Sequence, residues 1–539
     1  MKIQLYYLIA ITTALYSESC KQSGGQNPYF VHDSIPEIKK DSIFDTKPQL
    51  TKIKELPDTQ FTSIDIFEYK TEIFDTTIDS KINSLKNCYE NIDGILTFRG
   101  DPWRRANYNG YVEGKPDTVL IDWTFKTDID NTPTKYGTWG GGTGWTGQPL
   151  YINWPDSMVT KFKNSKAQLT EDFSNKEIIL GSLSSNVYFI NYETGKKSRE
   201  SVYVNNPIKG TLMIDPAMNG KVYVGQGVPA REPFGQITID LFNHNTRNAQ
   251  MRDSKAWRGW GASDSSPIRV GQFVFRPSEN GTIYKYYVEN GEEKLQSTLK
   301  YKRKGAGGPG MESSMAVYAN YGYIGDNHGN VMCINLNTMK PVWRFDNKDD
   351  TDGTPVIVEE DGHPYIYSGC EMDRQGATGQ SHFSKIDGLT GEKIWSYDQE
   401  AKKVNIGTKH FDGGYYSTPL VGSGNCSDLI FVNYVANENG QNGYFYAFET
   451  QTGKLRYQTS LKYYSWSSPV GLLNENNEQF IVTGDTAGRI YIIEGSTGEI
   501  IYVKSVGSNF ESTPIVVEGN HVVLGSRGSS IYKMTVKQK

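Results

Sequence analysis

The sequence predicts an all-β fold, a β-propeller of eight four-stranded blades, and two observations indicate it. The first is a repeated unit: a hydroxyl-rich pair and a proline open a strand, a Gly-rich turn and a Tyr-centred strand follow, and a Thr-Gly turn closes the unit. Residues 467–498 show this unit most completely. The second is the period of about 40–50 residues, which is typical of propeller blades built from four short strands.

The number of blades follows from the number of unit starts, of which we count eight. The starts are Gly147-Gln148-Pro149, Gly210-Thr211-Leu212, Ser265-Ser266-Pro267, Ser313-Ser314-Met315, Gly353-Thr354-Pro355, Ser417-Thr418-Pro419, Ser467-Ser468-Pro469 and Ser512-Thr513-Pro514. The second start departs from the pattern, so seven blades remain an alternative.

An N-terminal strand is expected to close the ring. Residues 119–126 alternate apolar and polar side chains around Trp123, as do the strands around Trp343 and Trp395 that end later units. We therefore expect residues 119–126 to supply the outer strand of the last blade, which removes open sheet edges.

The first twenty residues are typical of a bacterial lipoprotein signal. Lys2 precedes a short apolar stretch, and Cys20 follows small and polar residues at the predicted cleavage point. Ser17 stands where the usual motif has leucine, so a plain secretory signal remains the alternative. We expect three parts: a signal peptide (1–20) that ends at a lipidated Cys20, a polar tether (21–94) with a possible short helix near residues 78–88, and the propeller (95–539).

Composition excludes some classes of partner and cofactor. The formal net charge is only −5, and lysine and arginine are scattered, so the clustered basic surface of a nucleic-acid-binding protein is absent from the sequence. No Cys-x-x-Cys-His segment exists for covalent haem attachment, and no two of the five cysteines are adjacent. We expect no nucleic acid partner, and membrane contact only through the N-terminal lipid anchor.

Propeller geometry predicts where a site would lie. The residue three positions before the proline or apolar mark of each start should lie at one mouth of the central channel. These residues are Thr146, Lys209, Asp264, Glu312, Asp352, Tyr416, Trp466 and Glu511. Loops between the second and third strands should reach the same face.

The candidate ligand-binding residues at this mouth combine acids, aromatic rings and a few cations. They are Trp145, Lys209, Trp260, Asp264, Glu312, His328, Asp352, Tyr416, Trp466, Asp485, Glu511 and Arg527. Such a set suits a cation, a sugar-like polyol or a peptide end. In the alternative interpretation, each acid accepts backbone N–H bonds within its own blade. The sequence assigns no catalytic residue and no metal ligand.

The repeat resembles that of the quinoprotein alcohol dehydrogenase-like, PQQ-repeat propellers, in their branch of secreted bacterial proteins and lipoproteins. The resemblance covers residues 95–539 and rests on Gly325-Asp326-Asn327-His328-Gly329, on Phe445-Tyr446-Ala447-Phe448 with Thr452-Gly453, and on the outer-strand Trp395. It implies a propeller fold. It does not decide the function, because the family contains both dehydrogenases and non-enzymatic envelope lipoproteins.

Two functions follow from the resemblance. The family's enzymes commonly hold PQQ against a vicinal cysteine pair and bind calcium through Glu and Asn, and this chain has no such pair. We therefore expect a non-catalytic, extracytoplasmic lipoprotein without a cofactor, which binds a protein partner or a small polar ligand at one channel mouth. The alternative is a PQQ- and calcium-dependent oxidoreductase that acts on alcohols or sugars.

Overall fold

Eight four-stranded sheets follow one another in the described part of the chain and form the blades of a propeller. The computed structural model describes residues 54–58, 61, 65–106, 110–250, 253–406, 409–438 and 441–539. The predicted signal peptide, Cys20 and most of residues 21–64 lie outside the described residues. The prediction of an all-β, eight-bladed propeller is confirmed, and the seven-bladed alternative is wrong.

Each blade is a meander of antiparallel strands that runs outward from the channel. In blades 1 to 4 the strands are Leu150–Asn153, Lys176–Gly181, Asn186–Asn191, Lys197–Tyr203; Met213–Ile214, Lys221–Gly225, Gln236–Asp240, Asn245–Gln250; Ile268–Val270, Phe273–Pro277, Thr282–Glu289, Glu292–Arg303; and Ala316–Tyr318, Tyr321–Gly325, Asn330–Asn335, Lys340–Asp346. In blades 5 to 8 they are Val356–Glu360, His363–Gly369, Thr378–Asp387, Lys393–Lys402; Leu420–Val421, Leu429–Val435, Gly443–Glu449, Leu455–Leu461; Val470–Leu473, Gln479–Gly484, Arg489–Glu494, Ile500–Ser505; and Ile515–Val517, His521–Gly525, Ser530–Lys537, Thr118–Lys126.

A few elements lie outside this scheme. They are the edge strands Phe67–Ile73 on blade 3, Gly94–Ile95 on blade 1 and Gly110–Tyr111 on blade 7, the hairpin Val404–Ile406 with Lys409–Phe411, the helix Asp156–Lys163 and the 3₁₀ turn Gly424–Cys426.

The ring is closed by the N-terminal strand, as predicted. Thr118–Lys126 pairs antiparallel with Ser530–Lys537 as the outer strand of blade 8. The indole N–H of Trp123 then donates to the backbone oxygen of Tyr192 in blade 1, at 2.9 Å. Blade 8 therefore contains strands from both ends of the propeller segment, and this pairing closes the ring between the last blade and the first.

The hydroxyl residues at the unit starts join neighbouring blades. The backbone N–H of Ser266 donates to Ser314 Oγ at 2.9 Å, and that of Ser314 donates to Thr354 Oγ1 at 2.9 Å. In the same way, the backbone N–H of Thr354 donates to Thr418 Oγ1 at 3.2 Å, and that of Thr418 donates to Ser468 Oγ at 2.9 Å. A buried backbone donor needs an acceptor, and the next blade's hydroxyl supplies it. This requirement explains the Ser/Thr repeat.

The outer-strand tryptophan and the Thr-Gly turn form one contact between blades. The indole N–H of Trp343 donates to the backbone oxygen of Gly388 at 3.1 Å, and its ring packs against Gly391. Gly391 has a φ of +77°, and a Cβ there would lie 2.7 Å from the Trp343 ring. Glycine is thus required both by the left-handed backbone and by the tryptophan of the preceding blade.

Arg99 and Arg104 anchor a coil segment across the channel beneath the mouth. The guanidinium of Arg99 donates to the backbone oxygens of Pro469 at 2.8 Å and Pro419 at 2.9 Å, at the starts of blades 7 and 6. Arg104 Nε donates to the oxygen of Met315 in blade 4 at 2.8 Å. The prolines lie three residues below the mouth position, or about 10 Å at the rise of a strand. The mouth is therefore a depression that the segment containing Arg99 and Arg104 closes at its base.

The short helix considered for residues 78–88 is not formed. This segment consists of turns in which Asp79 and Asn87 accept the backbone N–H groups of Lys81 and Tyr89. Such local side-chain bonds compete with the helical hydrogen bonds. Long-range bonds hold the segment as well, because the N–H of Ile82 donates to Asn337 Oδ1 at 2.9 Å.

Candidate functional site

Three of the predicted mouth residues, Lys209, Asp264 and Glu312, meet in an ionic cluster with Glu279. Lys209 Nζ forms an ion pair with Asp264 and lies 3.7 Å from Glu312 Oε2 and 3.8 Å from Glu279 Oε1. The carboxylates of Asp264, Glu279 and Glu312, which we call the first triad, have oxygens within 4.8 Å of one another. Asp352 belongs to a neighbouring group. The ammonium of Lys209 thus serves three carboxylates that come from different blades or loops.

Burial and charge shift the ionisation of the first triad. Burial lowers the pKa of Lys209, but the carboxylates of Asp264, Glu312 and Glu279 outweigh burial and raise it above the ordinary lysine value. Burial raises the pKa of Asp264 to about 7, although the charge of Lys209 opposes the shift. Burial and the neighbouring Glu312 raise the pKa of Glu279 well above its usual range. The lysine stays charged while Asp264 and Glu279 resist ionisation.

A second triad of carboxylates lies beside the first and has no lysine of its own. Oxygens of Asp350, Asp352 and Glu371 lie within 4.8 Å of one another. Among the described residues, no lysine or arginine forms an ion pair with any of the three. Burial, followed by the charge of nearby acids, raises the pKa of each well above its usual range. This part of the mouth therefore lacks a cation that the first triad possesses.

Aromatic rings form one wall of the mouth. The rings of Tyr416 and Trp466 lie 5.3 Å apart with an interplanar angle of 33°, and Trp466 meets Trp145 at 5.8 Å. The ammonium of Lys209 lies 4.5 Å from the centre of the Trp145 ring, within cation–π distance. The wall and the two triads together form a surface suited to positive charge.

The remaining predicted residues lie apart from the two triads. Asp485 accepts the backbone N–H groups of Ala487 at 2.9 Å and Arg489 at 3.0 Å, so it holds the turn of its own blade. Glu511 lies 3.9 Å from Arg527 Nε in blade 8. Asp485 therefore matches the interpretation in which an acid accepts backbone N–H bonds within its own blade, whereas the contact of Glu511 is with a side chain.

Two further candidates lie on the same face but in other surroundings. Burial, followed by the charges of Arg374, Arg258 and Arg303, lowers the pKa of His328 to about 4. Trp260 packs edge-on against Tyr136 at 4.9 Å and lines a separate cavity.

Three residues of the triads are missing from the sequence-based set. Glu279 and Glu371 each stand two residues after the second strand of a blade, behind Pro277 and Gly369. This is the position of Asn327 and Arg527 in other blades, so a comparison of equivalent positions would have detected both acids. Asp350 stands two residues before a mouth position and has no equivalent acid in the other blades.

The raised carboxyl pKa values predict a fold that becomes less stable between pH 6.5 and pH 8. Unfolded Asp and Glu ionise near pH 4, whereas burial raises the pKa of folded Asp264 to about 7 and raises that of Glu371 well above its usual range. The folded state then binds more protons than the unfolded state, so stability falls as pH rises. We expect a lower melting temperature at pH 8 than at pH 6.5, measured by calorimetry.

Other titratable groups also change the pH dependence of stability between pH 6.5 and pH 8, and a carboxyl variant provides the control. His328 and His521, whose pKa values burial lowers, oppose this trend near pH 6.5, because an unfolded imidazole is still about half protonated there. Lys285, whose pKa burial lowers to about 7, and Lys533, whose pKa burial also lowers, act in the same opposing direction. The variant Glu371→Gln should reduce the slope. A melting temperature that rises across the window in the wild type would contradict the prediction.

The comparisons with known proteins agree with this architecture. Residues 279–462 match the family model described as outer membrane protein assembly factor BamB. The fold is similar to that of quinohemoprotein alcohol dehydrogenase ADHIIG from Pseudomonas putida HK5, with a TM-score of 0.57, 12% identity and coverage of 84% of this chain and 81% of that one. The quinohemoprotein alcohol dehydrogenase from Comamonas testosteroni gives a TM-score of 0.53 and 12% identity, with coverage of 83% of this chain and 81% of that one. BamB from Moraxella catarrhalis gives a TM-score of 0.45 and 14% identity, with coverage of 78% of this chain and 100% of that one.

No curated protein sequence matches the chain. The family match is confined to about the middle third of the chain, and the structural likeness at these identities concerns the fold. The repeat and the fold nevertheless agree with each other and with the resemblance seen in the sequence. The chain is therefore a β-propeller with eight blades in its described residues, and its repeat resembles that of the PQQ-repeat propellers.

Proposed function

We propose that the protein is a non-catalytic binding protein of the cell envelope, and that its channel mouth receives a positively charged group of a protein partner or small ligand. The second triad carries this proposal. Asp350, Asp352 and Glu371 converge beside an aromatic wall, and no described lysine or arginine pairs with them. In the adjacent triad, Lys209 shows how such a group would be held: by carboxylates on one side and an indole ring on the other.

A bound ammonium group would relieve the electrostatic cost of the second triad. The three carboxyls, of which Glu371 is buried and the two aspartates are half-buried, resist ionisation because desolvation and the charge of nearby acids raise their pKa values. A cation at hydrogen-bonding distance favours their charged form and gains charge-assisted bonds in return. The Tyr416 and Trp466 rings would face the apolar stem of a lysine or the edge of a guanidinium.

The location in the envelope rests on the sequence and on the family match. The N-terminal signal with Cys20 favours export and a lipid anchor. The matched family is described as an assembly factor for outer membrane proteins, which supports an envelope location and a protein partner. None of the helices in the described ranges is both long and apolar enough to span a bilayer.

A PQQ- and calcium-dependent oxidoreductase remains the second candidate, and the residues fit it only in part. Carboxylate oxygens are the donors that calcium prefers, so the second triad suits that ion. The first triad does not, because the ammonium of Lys209 already occupies its centre. The chain has no adjacent cysteines to lie against a quinone. The observations therefore favour binding without redox chemistry.

The test of the proposed function is calorimetric titration with N-acetyl-lysine amide, with N-acetyl-norleucine amide as the uncharged control. We expect saturable binding of the lysine derivative alone, and weaker binding as salt concentration increases. Asp352→Asn and Trp466→Ala should each reduce the affinity, because they remove a charge and an aromatic wall. Asp398→Asn, at an exposed acid of blade 5, should leave it unchanged.

Two outcomes would contradict the proposal. Equal binding of the norleucine derivative would exclude an ionic basis for recognition. Stoichiometric uptake of PQQ with calcium in native mass spectrometry, together with alcohol oxidation, would establish the oxidoreductase instead.

A further inference from the structure

The first triad shows how this mouth holds an ammonium group. Lys209 Nζ forms an ion pair with Asp264. It also lies 3.8 Å from Glu279 Oε1 and 3.7 Å from Glu312 Oε2. The ring of Trp145 lies 4.5 Å from the same nitrogen. Three carboxylates and one indole therefore surround a single primary ammonium group, which the chain itself supplies.

The second triad repeats the spacing of the first and, on the described residues, pairs with no lysine or arginine. Oxygens of Asp350, Asp352 and Glu371 lie within 4.8 Å of one another, as those of the first triad do. A nitrogen placed between three oxygens so spaced lies at most about 2.8 Å from each, which is the length of a charge-assisted N–H···O bond. One nitrogen can therefore reach all three carboxylates.

The arrangement of these acceptors distinguishes between cationic groups. A primary ammonium carries three N–H donors that diverge from one atom, which suits three carboxylates around one point. A guanidinium carries its donors in one plane, as a rigid fork that matches a single carboxylate. A quaternary ammonium has the same charge but no N–H donor. Three converging carboxylates therefore favour the primary ammonium.

The second triad opens on the mouth beside the aromatic wall. Asp350 and Asp352 are half-buried, as are Tyr416 and Trp466, so a ligand in the mouth can reach them. Hydrogen bonding between Tyr416 and Glu371 joins the wall to the triad. The rings of Tyr416 and Trp466 lie 5.3 Å apart. The alkyl stem of an amine can pack along such an apolar surface while its charged end bonds to the triad.

The charges around the second triad attract any cation, so the selectivity has to come from the donor geometry. Glu312, Asp326 and Asp373 add like charges, which raise pKa values within the triad beyond the effect of burial. Arg374 and Lys209 oppose this shift of the pKa values from a distance. Neither of them forms an ion pair with the triad in the part of the chain that the structure describes.

We propose that the second triad is a site for primary alkylammonium groups, such as the lysine side chain, and that it discriminates against guanidinium and quaternary ammonium groups. This inference rests on the proposed function and specifies the chemistry of its ligand.

The test compares three ligands of equal charge by calorimetric titration of the wild-type protein. They are the N-acetyl amides of lysine, arginine and ε-trimethyl-lysine. We expect the lysine derivative to bind about tenfold more tightly than either of the others, because each of them loses at least one charge-assisted hydrogen bond to the triad. If recognition came from the aromatic wall, trimethyl-lysine would bind at least as tightly as lysine.

Two variants separate the triad from the wall. Glu371→Met keeps the approximate length of the side chain but removes its acceptors, so it should abolish most of the preference for lysine. Trp466→Ala should weaken binding of the lysine derivative without reducing that preference. Asp398→Asn, at an exposed acid of the same blade, is the control and should change neither quantity. The comparison of ligands on the wild type is decisive even if Glu371→Met does not fold.

The outcomes distinguish this inference from the proposed function. Binding of all three derivatives with equal affinity, or tighter binding of trimethyl-lysine, would overturn the inference and leave the proposed function standing. Saturable binding of calcium chloride alone, with loss of lysine binding in its presence, would overturn it in favour of a metal site. If none of the three derivatives binds, the proposed function fails and the inference fails with it.

Discussion

Replacement of Lys209 by methionine is expected to destabilise the propeller by about 3–5 kcal/mol at neutral pH, the range seen when one partner of a buried ion pair is removed. Among the described residues, two cationic side chains lie within 4 Å of the first triad. Lys209 contacts all three carboxylates, and Arg258 contacts only Glu279, at 3.8 Å. Without the ammonium, buried carboxylates would face one another in a poorly solvated site.

The expected pH dependence identifies the cause of this loss. At pH 5 the carboxyls of the variant should bind protons and lose their mutual repulsion, so the difference from the wild type should shrink. Denaturant unfolding of both proteins at pH 5 and pH 8 measures it. An equal loss at the two pH values would show that methionine fails for reasons of shape and not of charge.

A second buried lysine provides a matched control. Lys385 packs 4.1 Å from the ring of Tyr365 and pairs at 2.7 Å with a single carboxylate, the partly exposed Glu360. Lys385→Met should therefore cost less than Lys209→Met and depend less on pH. The comparison isolates the effect of having three carboxylates around one ammonium.

Replacement of Arg99 by methionine is expected to cost about 3–4 kcal/mol, because it leaves two buried carbonyl oxygens without their donor. These oxygens belong to Pro469 and Pro419, at the inner strands of two blades, and no solvent reaches the fully buried guanidinium. Methionine fills part of the volume, so the loss should come mainly from the missing hydrogen bonds. Equilibrium unfolding in urea measures it.

Hydrogen exchange would locate the effect of Arg99→Met. We expect faster exchange in residues 96–106 and in the inner strands of blades 6 and 7, because the guanidinium joins them. Blades 2 and 3 should exchange as before. Arg527→Met, at a partly exposed arginine of blade 8, is the control and should change the free energy of unfolding little. Uniformly faster exchange would contradict a local role for Arg99.

Much of the architecture could be predicted because each blade repeats the same local chemistry. The hydroxyl pairs such as Ser313-Ser314 supply an acceptor to the neighbouring blade, and the pairing of Trp343 with Gly391 joins blades at their outer edge. Both contacts lie at fixed positions of the repeat, so the period reveals them. For the same reason, the closing strand could be recognised from its central Trp123.

The mouth was predicted by position, and its composition only in part. Lys209, Asp264, Glu312 and Asp352 follow from the rule for the inner strand. The rule cannot tell which of these acids share one cation, because the side-chain distances depend on the rotamers and on the radius of the ring. Asp485 shows the same limit, since an acid at a loop position turned out to hold its own turn.

The amino-acid sequence by itself determined the repeat and the strand that closes the ring, and it favoured eight blades over seven, because these features depend on local turns and on contacts between equivalent positions. Only the tertiary structure decided which carboxylates form the two triads, and that Arg99 joins the inner strands of blades 6 and 7 beneath the mouth. Those features join residues far apart in the chain, and no period in the sequence encodes their distances.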